Sequence, residues 1–243
     1  MRVKATGLAA LVTIPALLLA TACSSDSSGS GDKKKDQGQE SADEAAKPAA
    51  ATGTTLTKAQ LDKAVLAKGD LAGFAVAASP SKTDENPKVD SPQCQPIIDV
   101  MAEKASPKVK DAVNRGLSSK ATPGIGYADV LRSYTAEDAQ QTVADLKNAL
   151  VGCASGFGAV SQGQKVKYSD VKQIQLAKAG DESVGFQLTG EGGGQKIPLN
   201  YVVVREGATL AMFIGMDLGA KKPVKVPQEL VNKQVEKIAA VSG

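Results

Sequence analysis

From Thr57 onward the apolar residues recur with two different periods, and each period predicts a different kind of element. Thr57-Lys-Ala-Gln60 has the form of a capping box. Leu61, Val65 and Leu66 follow it, which predicts a helix running to about Lys68. Gly73–Ala78 reads as a strand of small residues and Ser79–Pro92 as a polar loop. Cys94 opens a second helical segment with Ile97, Ile98 and Met101 on one side. Pro107 breaks it, and Val109–Leu117 reads as a further helical turn or two. Gly124–Tyr134 alternates as a strand. Thr135 then caps the clearest helix, with Glu137 and Asp138 in the first turn, where the helix dipole favours negative charge. Ala139, Val143, Leu146, Leu150 and Cys153 share one face of it. The last third changes period: Val166–Leu176, Val184–Gly190, Ile197–Arg205 and Thr209–Met216 read as strands, with a tight turn at Glu206-Gly207. Pro227 begins a final helix through Leu230, Val231, Val235 and Ile238. Strands that mostly follow one another predict an α+β fold, a largely antiparallel β-sheet with packed helices, as a single globular domain over 57–243.

Upstream of Thr57 neither period is present. Met1-Arg2-Val3-Lys4 is cationic, and Gly7–Ala22 is uncharged and mostly apolar, the layout of a secretory signal over 1–22. That run of 16 residues, interrupted by Pro15, falls short of the ~20 that a spanning helix needs. Leu19-Ala20-Thr21-Ala22 before Cys23 resembles the lipobox of bacterial lipoproteins, with Ala20 standing where Leu is commoner. The expectation is cleavage before Cys23, lipid on Cys23, and a protein held on the outer face of the cell membrane. The competing reading is an ordinary cleaved signal with Cys23 incidental. Residues 23–56 are rich in Ser, Gly, Ala, Lys and Asp and carry almost no large apolar side chain, so they read as a disordered tether.

Composition narrows the chemistry. Without Arg2 and Lys4 the chain has 27 basic residues against 26 acidic, so it offers no footprint for nucleic acid. It has no His and no Trp, and only eight Phe and Tyr. A serine nucleophile therefore lacks its usual base, and no catalytic constellation emerges. With Cys23 lipidated, Cys94 and Cys153 remain. In an exported protein such a pair reads as a disulfide, the alternative being two buried free thiols. Two cysteines without histidine make a poor metal set, and no metal or cofactor is expected. Gly190-Glu-Gly-Gly-Gly-Gln-Lys196 departs from a phosphate loop and reads as a hairpin loop. The acids Asp181 and Glu182 read as solvated turn residues rather than a glycosidase pair. Arg132, inside an apolar strand, is a candidate for binding an anion or a ligand carboxylate; the bland reading is solvent exposure or a structural ion pair.

The segments GDLAGFAV, VLRSYTAEDAQQTVADLKNALVGC, GDESVGFQL and VVVREGATLAMFIG, with Cys94 before a helix, resemble actinobacterial surface lipoproteins. More loosely, residues 57–241 resemble the PknH-like extracellular sensor domain, which also occurs attached to membrane kinases. The resemblance implies an antiparallel sheet with helices around a cleft proposed to bind a ligand. Members usually carry two disulfides, whereas this chain has cysteines for one. The functional expectation is a non-enzymatic surface lipoprotein binding or sensing a small or apolar ligand at the envelope. The alternative is a structural protein that presents a surface to an envelope protein.

Overall fold

The computed structural model describes residues 52–79, 87–102, 106, 108–161, 163–217, 219 and 222–243. The signal segment, Cys23 and nearly all of the tether lie outside the described residues.

The first helix, α1 (Lys58–Ala64), begins as the sequence predicts. The Thr57 hydroxyl accepts from the Gln60 N–H, and the Gln60 side chain accepts from the Thr57 N–H. It stops four residues earlier than its apolar spacing suggests, because Val65 turns extended. Gln234, in the last helix, accepts from the Leu66 N–H at 2.9 Å and donates to the Ala64 carbonyl at 2.8 Å. A side-chain amide from a distant helix thus stands in for the next helical turn. Leu56, at the end of the expected tether, is fully buried, so packing begins slightly upstream of Thr57.

After α1 come β1 (Phe74–Ala78), β2 (Lys88–Val89), α2 (Gln95–Met101), β3 (Asp111–Ser119), β4 (Ile125–Ser133) and α3 (Ala136–Gly152). Then follow β5 (Phe157–Ser161), β6 (Gln164–Ile174), β7 (Glu182–Gly192), β8 (Gln195–Glu206), β9 (Thr209–Asp217) and α4 (Gln228–Ser242). The expected helical turns at Val109–Leu117 are instead β3. Val113 and Leu117 lie four apart, which places them on one face of a helix and equally on one face of a strand. Pairing with β1 on one side and β4 on the other decides for the strand. Thr135 does cap α3, accepting from the Asp138 N–H. Gly193-Gly194 forms the two-residue turn of the β7–β8 hairpin, and the β8–β9 turn lies at Gly207-Ala208, one residue later than expected.

Among the described residues the strands form one antiparallel sheet of nine, ordered β1-β3-β4-β9-β8-β7-β6-β5-β2, and four helices cover it. Alternation sends Tyr201 and Val203 of β8 to one core, with α2 and α3, and Val202 and Val204 to a second, with α1 and α4. Both faces are therefore buried at the centre of the sheet. On the first face a disulfide joins Cys94, just before α2, to Cys153 at the end of α3, both buried. No helix of the described residues is long and apolar enough to cross a membrane.

Candidate functional site

Arg132 lies on the α2–α3 face and is 3% exposed. Its Nη1 donates to the carbonyls of Asp99 (2.9 Å) and Val100 (3.2 Å), and its Nη2 to that of Ala102. These carbonyls belong to the last turn of α2 and to Ala102, the residue that ends it. Arg132 thus closes a helix end, buried rather than solvent-exposed, and among the described residues it lines neither of the large cavities below. Asp181 and Glu182 are likewise engaged. Asp181 accepts from Arg205 at 2.8 Å and from the Gly207 N–H at 2.9 Å, and Glu182 pairs with Lys147 at 2.5 Å. Among the described residues no three His, Cys, Asp or Glu side chains converge as a metal site.

The α1–α4 face carries the chemistry that the sequence reading missed. Three strands align there in rows: Gln187 of β7 opposite Asn200 of β8 opposite Gly215 of β9, and next to it Gly185, Val202 and Phe213. Two glycines let chain segments lie directly on this surface. A Cβ at Gly185 would meet Leu176 Cγ at 2.8 Å, and one at Gly215 would meet the Val224 carbonyl at 2.4 Å. Between these segments a cavity of about 620 Å³ opens, within the usual range of small-molecule sites. Ile174, Leu176, Val202, Val226 and Val231 form its apolar wall. Gln175, Gln187, Asn200 and Gln228 supply amides, and Lys225 is the charged residue of the lining.

Asn200 distinguishes this cavity. It is 6% exposed, and its Oδ1 has no hydrogen-bond partner. A buried amide oxygen without a partner costs about 1–3 kcal/mol, so it marks a place where a ligand or water donor belongs. Pro227 precedes α4, and no side chain caps the helix, so its first turn opens beside the cavity. A second, shallower cleft of about 660 Å³ lies at the far sheet edge, lined by β2, β5 and β6 residues such as Lys88, Val160 and Lys167. Among the described residues that line it, none holds a buried polar atom without a partner.

One further group stands out on this face. Asp129 of β4 neighbours Phe213 in the same row, fully buried, with neither carboxylate oxygen making a close hydrogen bond. Burial pushes its carboxyl up to about 7. The Leu66 N–H, already donating to Gln234, and the Arg115 and Lys237 cations offset that only in part. On the opposite face burial also raises the Tyr201 hydroxyl, whose ring stacks on Phe186 at 4.8 Å.

No protein-family model matches this sequence, and no curated protein matches it either. Among solved structures the chain is similar to the extracellular domain of PknH from Mycobacterium tuberculosis. The identity is 12% and the TM-score 0.52, over 77% of this chain and 99% of that one. It also matches an uncharacterized protein of Mycobacterium smegmatis at 12% identity and a TM-score of 0.38, over 76% of this chain and 94% of the other. At this level of identity, what this chain has in common with the PknH extracellular domain is its fold: one antiparallel sheet with its helices.

Proposed function

We propose that this protein is a non-enzymatic, lipid-anchored domain on the outer face of the cell membrane that binds or senses a small, partly apolar ligand in the cavity between β6–β8 and α4. The observation that carries the reading is a mainly apolar cavity lined by Asn200, a buried amide whose Oδ1 has no hydrogen-bond partner. A filled core at this place would have favoured the alternative, a protein that works only by presenting its outer surface. The signal-like segment, Cys23 and the fold likeness to an extracellular domain support the location.

Thermal unfolding of the full chain in detergent, against soluble cell-wall fragments and against lipids, tests the binding. A ligand at 100 times its Kd stabilises by about 2.7 kcal/mol, which moves the midpoint by several degrees. Asn200→Leu should abolish that shift while the circular dichroism of the protein stays unchanged. No shift with any class, or an equal shift in Asn200→Leu, defeats the proposal.

A further inference from the structure

We infer that this cavity takes a short peptide by its free C-terminal carboxylate, an assignment that rests on the cavity being the binding site proposed above. The lining separates into three parts that match three parts of such a ligand. Lys225 is the charged member, and no carboxylate stands among the described lining residues. Beside it, Val226, Pro227 and Gln228 bring the start of α4 to the cavity, with no side chain bonded to its free N–H groups. The 15-residue helix and the lysine favour one negative charge at the same place. Glu229, also in the first turn, is exposed and does not line the cavity.

The amides form the second part. Gln187 and Asn200 stand opposite each other on β7 and β8, and Gln175 and Gln228 border the same space. An amide offers both a donor and an acceptor, the complement of a peptide group, and Gln228 spends one of its N–H groups on Asn232. The unpartnered Oδ1 of Asn200, on a side chain more than nine-tenths buried, calls for an N–H from the ligand. The third part is the aliphatic wall of Ile174, Leu176, Val202, Val226 and Val231, which suits an apolar side chain. A single lysine matches a carboxylate of one charge better than a phosphate dianion, which would be left partly uncompensated.

Isothermal titration of the full chain in detergent, with N-acetyl-Ala-Val as the free acid and as its C-terminal primary amide, tests the inference. The free acid should bind, and the amide should bind at least about tenfold more weakly at low salt. Lys225→Gln should cut the preference for the acid over the amide several-fold, the start of α4 supplying what remains. Asn200→Leu should abolish binding of both. Equal affinity of wild type for acid and amide, with both lost in Asn200→Leu, overturns the carboxylate assignment and leaves the cavity as a binding site. No binding of either probe at millimolar concentration overturns the peptide assignment, and the wider ligand series above then decides the fate of the cavity reading. An acid preference that survives Lys225→Gln undiminished also overturns it.

Discussion

Asp129 makes the stability of this protein depend on pH, and Asp129→Asn should remove that dependence. In the folded chain the carboxyl takes up its proton at about 7, against an ordinary value of 3.8, because burial disfavours the charge. Between these values the folded state holds a proton that the unfolded state has released, so stability falls as pH rises. The difference, at about 1.4 kcal/mol per pH unit, amounts to roughly 4 kcal/mol of destabilisation at pH 8 that is absent below pH 4. The groups that face Asp129 are the Leu66 N–H, Arg115 of β3 and Lys237 of α4. The chain has no histidine, and carboxyls ordinarily titrate near the acid end of this interval. Glu206 is one of them, raised by partial burial and by the nearby Asp181. It is common to both proteins and cancels in their comparison. Asparagine keeps the shape of the aspartic acid and cannot ionise. Urea unfolding of both proteins from pH 4 to pH 8 should give equal stabilities at the acid end. The variant should be more stable by up to about 4 kcal/mol at pH 8, a large part of the 5–15 kcal/mol typical of a domain. A constant difference across the series would refute the reasoning, as would a wild type whose stability rises from pH 5 to pH 8 while the variant stays flat.

Replacing Cys94 and Cys153 together by Ser should lower stability by about 4 kcal/mol at a sequence separation of 59 residues, read by the same unfolding assay under oxidising conditions. Arg132→Met keeps the bulk of the side chain but leaves the end of α2 without its donors. A loss of about 2–4 kcal/mol is expected, and a neutral result would remove Arg132 from the role of closing that helix. Gly215→Val should displace the segment at Val224 and reduce binding in the cavity more than it reduces stability, measured by titration beside thermal unfolding. Cys23→Ala should release the protein to the medium or stall its processing; membrane retention of a normally cleaved form would overturn the lipid anchor.

The parts of the fold that were legible in the sequence are those where one period excludes the other. Helix α3 is an example: Ala139, Val143, Leu146 and Leu150 follow a helical spacing over about three turns, and all are buried. Strand β3 was misread because a spacing of four fits both kinds of element, and only its two neighbouring strands resolve it. Strand β2, two residues long, is too short to show any period, and β5 is masked by Gly156 and Gly158. At the candidate site Asn200 carried a signal, as a lone amide in the run Leu199–Val204, where neither face of the strand is exposed. Asp129 carried one too, in phase with the apolar Tyr127 and Leu131. Lys225 and Gln228 carried none, because only the path of the chain over Gly215 brings them to the cavity. Arg132 stood out as a cation inside an apolar strand, but its partners are main-chain carbonyls, which every residue type supplies.

The entry of the chain into the domain has a mechanical consequence. Gly53 packs against the Gly207-Ala208 turn, at the end of β8 and β9, and Leu56 is locked into the core just beyond it. Asn200 and Gly215 lie at one row of these same two strands, six residues along β9 from Thr209, or about 20 Å at the rise of a strand. If a ligand fixed to the wall were held there while the amino terminus was held at the membrane, tension would run along β8 and β9 instead of across them. The hydrogen bonds of the central sheet would then be loaded together, in shear, and would yield together or not at all. Such a domain is suited to keep its grip under pull, and a peel from either sheet edge would find the load-bearing strands last.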